Sequence, residues 1–368
     1  MTWNFVNLSK SECTIMKGYA IFSIIIHNFL HLSGTGFVKE NESTFFQDRL
    51  DIFNTHVITL NPLLFGDIFS YLGFYGVPIF AFLSGYGLVR KYESTPHKNN
   101  NVTFTNFLWH ILCKFWKLML PAYLLFLLLN FVIGNGYVSL LSIVTQITFT
   151  NNLIFRAGLL NPGSYWYFGF SIQLYIFYYC LVYKKQRTNM LLWLLISTII
   201  QIIVLFYIDK YPNQEPLLYI RHNFIGWLSC FLLGIWWAKN SVKSELGKKD
   251  TLFFLISIVM FVISIQNKYL WLCSPILIIY IFVFICKKSE RFNTLKNIIL
   301  WFGKYSAYLF VMHPIVRLFC IYIIRRTDSL PLKYMEVIVY VIACCAAAYI
   351  YSKVTEYIFN RQKYIEKK

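Results

Sequence analysis

The sequence predicts an all-α, polytopic integral membrane protein with about ten transmembrane helices. Three observations predict it. Of 368 residues, 58% are hydrophobic and 14% charged, and the mean hydropathy is +0.55, whereas a soluble domain carries roughly 25% charged residues. The apolar residues come in runs of about 20, the length a helix needs to cross the hydrocarbon layer. The basic residues are gathered between alternate runs, as expected when Lys and Arg are held on the cytoplasmic side.

Taken in order, the runs lie near 14–33, 68–89, 115–134, 166–183, 189–208, 223–238, 251–266, 269–286, 298–324 and 334–357. The stretch 137–160, dotted with Thr, Asn and Gln, reads as a re-entrant or surface segment. The run from Ile15 to Leu32 carries Lys17 and has no small-residue cleavage site after it, so it is expected to be a permanent first helix rather than a signal peptide. With the first residues inside, the basic clusters around Lys91, Lys98, Lys114, Arg187, Lys243, Lys249, Lys288, Arg291 and Lys367–Lys368 all fall on one side, and both termini are expected to be cytoplasmic. The longest outer loop, 34–67, holds Glu40, Glu42, Asp48, Asp51 and Asp67. No soluble domain, linker or repeat interrupts the pattern, and 1–368 reads as one transmembrane unit.

The net charge of +18 does not indicate nucleic acid, because the cations sit in short clusters between apolar runs. Most of the nine cysteines fall within those runs and none has zinc spacing. No metal is implied. P-loop, GxSxG, GxGxxG and HExxH patterns are all missing.

A titratable side chain in the bilayer costs several kcal/mol unless paired or hydrated. The residues that carry this cost are therefore the candidates for function. On the first helix, Lys17 and His27 are about 80° apart around the axis and about 15 Å along it, with Asn28 about 20° and His31 about 40° from Lys17. One side of that helix thus presents four polar groups. His27 or His31 can serve as a general base near neutral pH, whereas Asn28 can only orient a partner. Lys114 and Lys117, ahead of Pro121, read either as membrane anchors or as a cationic mouth for an anionic ligand. Ser84-Gly85 reads as a close helix contact or a binding group. Trp166 fits an interfacial belt or a binding site, and Gln173 is a strongly polar residue within a span. In the ninth run, Lys304 can snorkel, His313-Pro314 is expected to kink the helix, and Arg317 lies deep among apolar residues.

These residues together resemble the acyltransferase 3 family of bacterial membrane acyltransferases. Met16-Lys17-Gly18-Tyr19-Ala20-Ile21, leading to His27, resembles the family's first-helix block of a basic residue, Gly, an apolar run and His. Phe74 through Ser84-Gly85-Tyr86 is similar to its second-helix block. Lys114, Lys117 and Pro121 match a basic pair before Pro, and Trp166 through Gln173 looks like its Trp-led helix. Gly303-Lys304-Tyr305-Ser306, then His313-Pro314, resembles the last block. Two departures stand out. The family's His position falls here on Asn28, one residue after His27. The basic pair is Lys rather than Arg, without the bidentate fork for phosphate.

The resemblance implies a cell-envelope enzyme in the bacterial cytoplasmic membrane. It would move an acyl group, acetyl first of all, from cytoplasmic acetyl-CoA or another acyl-CoA to a hydroxyl of a surface or lipid-linked glycan, a polysaccharide modification that needs no cofactor beyond the donor. His27, Lys17 and His31 would be catalytic. Lys114, Lys117, Ser84, Trp166, Gln173, His313 and Arg317 would bind substrate. The competing reading is a transporter or flippase for a glycan or other anionic solute, which uses membrane His and Arg equally well but is often marked by an inverted repeat that this sequence lacks. A purely structural subunit leaves the polar strip on the first helix without a purpose.

Overall fold

In the computed structural model, the described residues are 5–31, 36–93, 102–134, 136–154, 160–185, 189–210, 219–242, 246–289, 292–323 and 329–365. Lys98, Arg187, Lys243, Arg291, Lys367 and Lys368, used above for topology, lie outside them, as do 155–159 of the polar stretch. The helices are α1 (Lys10–Leu30), α2 (Gln47–Ile58), α3 (Leu64–Leu72), α4 (Gly76–Tyr92), α5 (Phe104–Ile133), α6 (Leu140–Ile147), α7 (Trp166–Leu181), α8 (Met190–Lys210), α9 (Phe224–Lys239), α10 (Lys248–Ile265), α11 (Ser274–Ser289), α12 (Asn293–Lys304), α13 (Ser306–Ile323) and α14 (Leu330–Ile365). The only strands among the described residues, Phe5–Val6 and Ser241–Val242, pair in parallel and tie the start of the chain to the end of α9.

The protein is an all-α polytopic membrane protein. Among the described residues, six segments are long and apolar enough to cross a bilayer, and the pair α12 and α13 makes a seventh if counted as one bent span. The count of about ten is not reached by this measure. Two of the expected runs form helices of 16 residues each, Trp166–Leu181 and Phe224–Lys239, short of the usual span of about 20. A third, α10, opens on Lys248, Lys249 and Asp250. Among the described residues of the polar stretch 137–160, the helix is α6, of eight residues, with Ser142, Thr145 and Gln146 buried.

The expected span 298–324 is broken. Its two helices meet at 74° around Tyr305, whereas Pro314, where a kink was expected, sits inside α13. The bend allows α12 and α13 to pack on α1 at different heights.

Helix α1 is central, packing against α3, α4, α11, α12, α13 and α14. Its start is fixed by a capping box. Ser9 Oγ accepts from Glu12 N (3.1 Å), and the Glu12 carboxylate accepts from Ser9 N (2.7 Å). Ile15, Met16, Ala20 and Ile24 pack toward α4, while Ile21, Ile25 and Phe29 pack toward α12 to α14. Close approach is obtained with glycine. At Gly73, a side-chain carbon would lie 2.6 Å from the Cβ of His27, so the short 3-10 turn Gly73–Tyr75 can lie directly on α1 at that residue.

Candidate functional site

A cavity of about 540 Å³ opens among α1, α4, α5, α7 and α13. Helix α1 supplies Lys17, Ile24, His27, Asn28 and His31 to its wall. These positions recur at helical spacing, so the polar strip anticipated from the sequence is one face, turned toward one space. Ser84, Lys114, Trp166 and Arg317 complete the set of anticipated residues that line it. Phe74, Phe80, Phe115, Leu118 and Phe310 make much of the remaining wall apolar.

One end carries cations. Lys17 and Lys114 are exposed there, and Lys91 acts on Lys114 together with Lys17. Neither Lys17 nor Lys114 forms an ion pair among the described residues. Lys17 and Lys114, two ammonium groups with no ion pair among the described residues, make a site for an anion.

The other end carries His27, His31 and two carboxylates. The buried His27 ring holds Nδ1 at 2.8 Å from the Ser70 carbonyl oxygen. Donation from Nδ1 leaves Nε2 with the lone pair, the state a general base needs. The His31 ring centroid is 5.0 Å from that of His27, and His31 Nδ1 is 3.2 Å from Glu40 Oε2. Asn28 orients a partner, as anticipated. Its backbone and side-chain oxygens each accept from Arg317 Nη1 at 3.2 Å, which fixes that guanidinium beside the two imidazoles.

Glu40, Glu42 and His222 line the cavity and were not singled out from the sequence. The signal available was two carboxylates spaced by one residue in the loop that follows a His-bearing helix. Hydrogen bonds hold the described part of this loop. Asp67 accepts from Val38 N (2.8 Å) and lies 2.6 Å from His56 Nδ1, Asn41 donates to Tyr71 Oη (3.0 Å), and Arg49 donates to the Glu40 carbonyl. Arg221 donates from Nε to the Glu42 carbonyl (3.1 Å) and stacks 3.9 Å from the Trp227 ring. Burial, reinforced by Glu40, pushes the Glu42 carboxyl up to about 8, against the pull of Arg221.

Three anticipated residues do not line the cavity. Lys117, one turn beyond Lys114, turns away and lies 5.3 Å from the Phe359 ring. Gln173 donates to Asn223 Oδ1 (2.9 Å) and accepts from Phe224 N (3.0 Å), a cross-link between α7 and α9. The fully buried His313 lies behind the wall, with Nδ1 3.2 Å from the Leu309 carbonyl oxygen and its own carbonyl accepting from Tyr340 Oη (3.3 Å). Lys304 is exposed over the Tyr305 ring, consistent with snorkelling. The pairing of Ser84 with Gly85 divides. Ser84 faces the cavity, while Gly85 faces the Phe231 carbonyl of α9 in a tight helix contact.

A bundle of apolar helices thus surrounds a cavity with two imidazoles toward one end and two ammonium groups toward the other. Residues 12–351 match the family described as an acyltransferase domain, acyltransferase 3. The chain belongs to the acyltransferase 3 family and is a membrane acyltransferase. No curated protein and no solved structure matches it.

Proposed function

We propose that the protein transfers an acyl group, acetyl in the first instance, from cytoplasmic acyl-CoA to a hydroxyl of a surface or lipid-linked glycan on the opposite side of a bacterial cytoplasmic membrane, with both termini cytoplasmic. The observation that carries this reading is one cavity with Lys17 and Lys114 at one end and His27 about 15 Å along the same helix from Lys17. Lys17 and Lys114 hold the phosphates of the donor, and the apolar wall receives its pantetheine arm. At the far end, His27 takes the proton of the acceptor hydroxyl as the oxygen attacks the thioester carbonyl. The tetrahedral intermediate collapses with loss of the CoA thiolate, which takes up the proton from the imidazolium. Arg317, held by Asn28, stabilises the developing oxyanion. Glu40, Glu42 and His222 offer hydrogen bonds to sugar hydroxyls, and Trp166 offers a ring face.

The test is purified protein with acetyl-CoA labelled in the acetyl group. An acyltransferase binds the donor, releases free CoA and passes label to added glycan or, slowly, to water. A protein that ignores acetyl-CoA but moves a lipid-linked glycan across vesicles is instead the transporter.

A further inference from the structure

We propose that His27, His31 and Glu40 form a binding site for a divalent transition-metal ion of the zinc class at the carboxylate end of the cavity. One donor atom from each lies within 4.8 Å of the other two. Zinc bonds of about 2.0–2.1 Å set tetrahedral donors roughly 3.4 Å apart. His31 Nδ1 and Glu40 Oε2, at 3.2 Å, already have that separation, so small side-chain rotations close the set. Two imidazoles and a carboxylate are a recurrent zinc ligand set that leaves one position for water or substrate, and here that position faces the cavity.

Two independent observations point to a ligand. His31 Nδ1 and Glu40 Oε2 are buried without a hydrogen-bond partner among the described residues, although they face one another. His27 has the outer-shell support typical of a metal-bound imidazole, a ring nitrogen held by a backbone carbonyl, Ser70 O. The charges facing the cluster are Arg317, Lys39 and Arg49 on one side and Glu42 on the other. The three cations oppose a divalent ion, and Glu42, raised to about 8, offsets them little near neutral pH, so Glu40 is the main Coulomb attraction. Binding therefore relies on the imidazole donors, which select zinc and its neighbours over magnesium or calcium.

The ion and a proton compete for the same lone pair on His27. Bound metal therefore inhibits acyl transfer, a consequence that rests on the function proposed above, whereas binding itself does not.

The test uses the full-length protein in detergent, stripped by a chelator, then titrated with Zn²⁺ by equilibrium dialysis and with Co²⁺ by absorption. One Zn²⁺ per chain is expected, with Mg²⁺ and Ca²⁺ failing to compete. Glu40→Gln and His31→Asn should each weaken binding by more than about a hundredfold, beyond the usual loss for an outer-shell residue. The Co²⁺ complex should show visible ligand-field bands without a sulfur charge-transfer band, which separates this site from the nine cysteines. That spectrum needs only the wild type, so a sulfur band or an absence of ligand-field bands overturns the proposal even if both variants misfold. Lack of stoichiometric binding, affinity indifferent to both substitutions, or a sulfur band overturns the proposal. In the transfer assay, Zn²⁺ should inhibit and EDTA restore. Binding at this site without inhibition overturns the inhibitory part and counts against His27 as the base.

Discussion

Two buried or half-buried polar clusters in this apolar protein invite comparison. Around Gln173, every described polar contact closes on another protein group. Asn223 donates to the carbonyls of Asn152 and Tyr219 (2.7 Å each), Asn152 donates to the His222 carbonyl (2.8 Å), and Gln173 joins Asn223 to Phe224 N. Around His27, His31 and Glu40, one contact anchors the first imidazole while His31 Nδ1 and Glu40 Oε2 are left without hydrogen bonds at the cavity. A closed network cross-links helices. An open one next to a cavity has capacity left for a substrate. The intramembrane cost of a polar residue marks Gln173 and His27 alike, and only the destination of the hydrogen bonds separates them.

The sharpest way to break this contrast is to substitute one residue from each cluster. His27→Ala should reduce acyl transfer on the order of a hundredfold or more, the loss of a general base, with expression and acyl-CoA binding retained. His31→Ala should cost much less. Loss of activity in His31→Ala with a near-normal His27→Ala would move the base one turn along α1. Gln173→Leu should act in the opposite way. It leaves the Phe224 amide and the Asn223 side chain short of a partner, a cost of about 1–3 kcal/mol, so thermal unfolding in detergent should shift down while kcat per folded molecule stays put.

The cationic end can be treated likewise. Lys17→Gln or Lys114→Gln should each raise KM for acyl-CoA roughly tenfold, the value of one hydrogen bond to a charged group, and the effect should fade at high salt. Lys117→Gln should leave KM unchanged. Equal effects at Lys114 and Lys117 would mean that the helix presents both to the donor.

The smallest effect concerns Glu42. Its folded-state value is raised to about 8, so the folded protein holds a proton that the unfolded chain releases above its ordinary carboxyl range. Its contribution to stability is therefore present below that range and is lost as pH rises toward 8. Wild-type melting temperature should fall across that window, and Glu42→Gln should flatten the dependence. An unchanged slope in Glu42→Gln would place the titration elsewhere.

The sequence made the polar strip of α1 legible, because helical periodicity alone puts Lys17, His27, Asn28 and His31 on one side. It made the bilayer legible through run length and charge, and the family through ordered blocks. It did not reveal which of two lysines a turn apart would face the cavity, since that depends on where Phe359 of α14 packs. It misplaced the bend in the ninth run. Pro314 is tolerated within α13, while the chain turns at Tyr305, two residues after Gly303, a glycine whose close approach to the Thr14 carbonyl of α1 was not read from the sequence. Glu40 and Glu42 stayed hidden among the loop acids. Their position depends on contacts with Asp67, Arg49 and Arg221, which are remote or unremarkable in sequence.

The central claim is that one cavity joins a donor end at Lys17 and Lys114 to an acceptor end at His27 and Glu40. Its most direct test is sidedness of transfer in sealed vesicles of known orientation. Labelled acetyl-CoA supplied on the cytoplasmic face should label an acceptor confined to the opposite face, in wild type and not in His27→Ala. Label that passes only when donor and acceptor share one face, or equally well from either face, would contradict it.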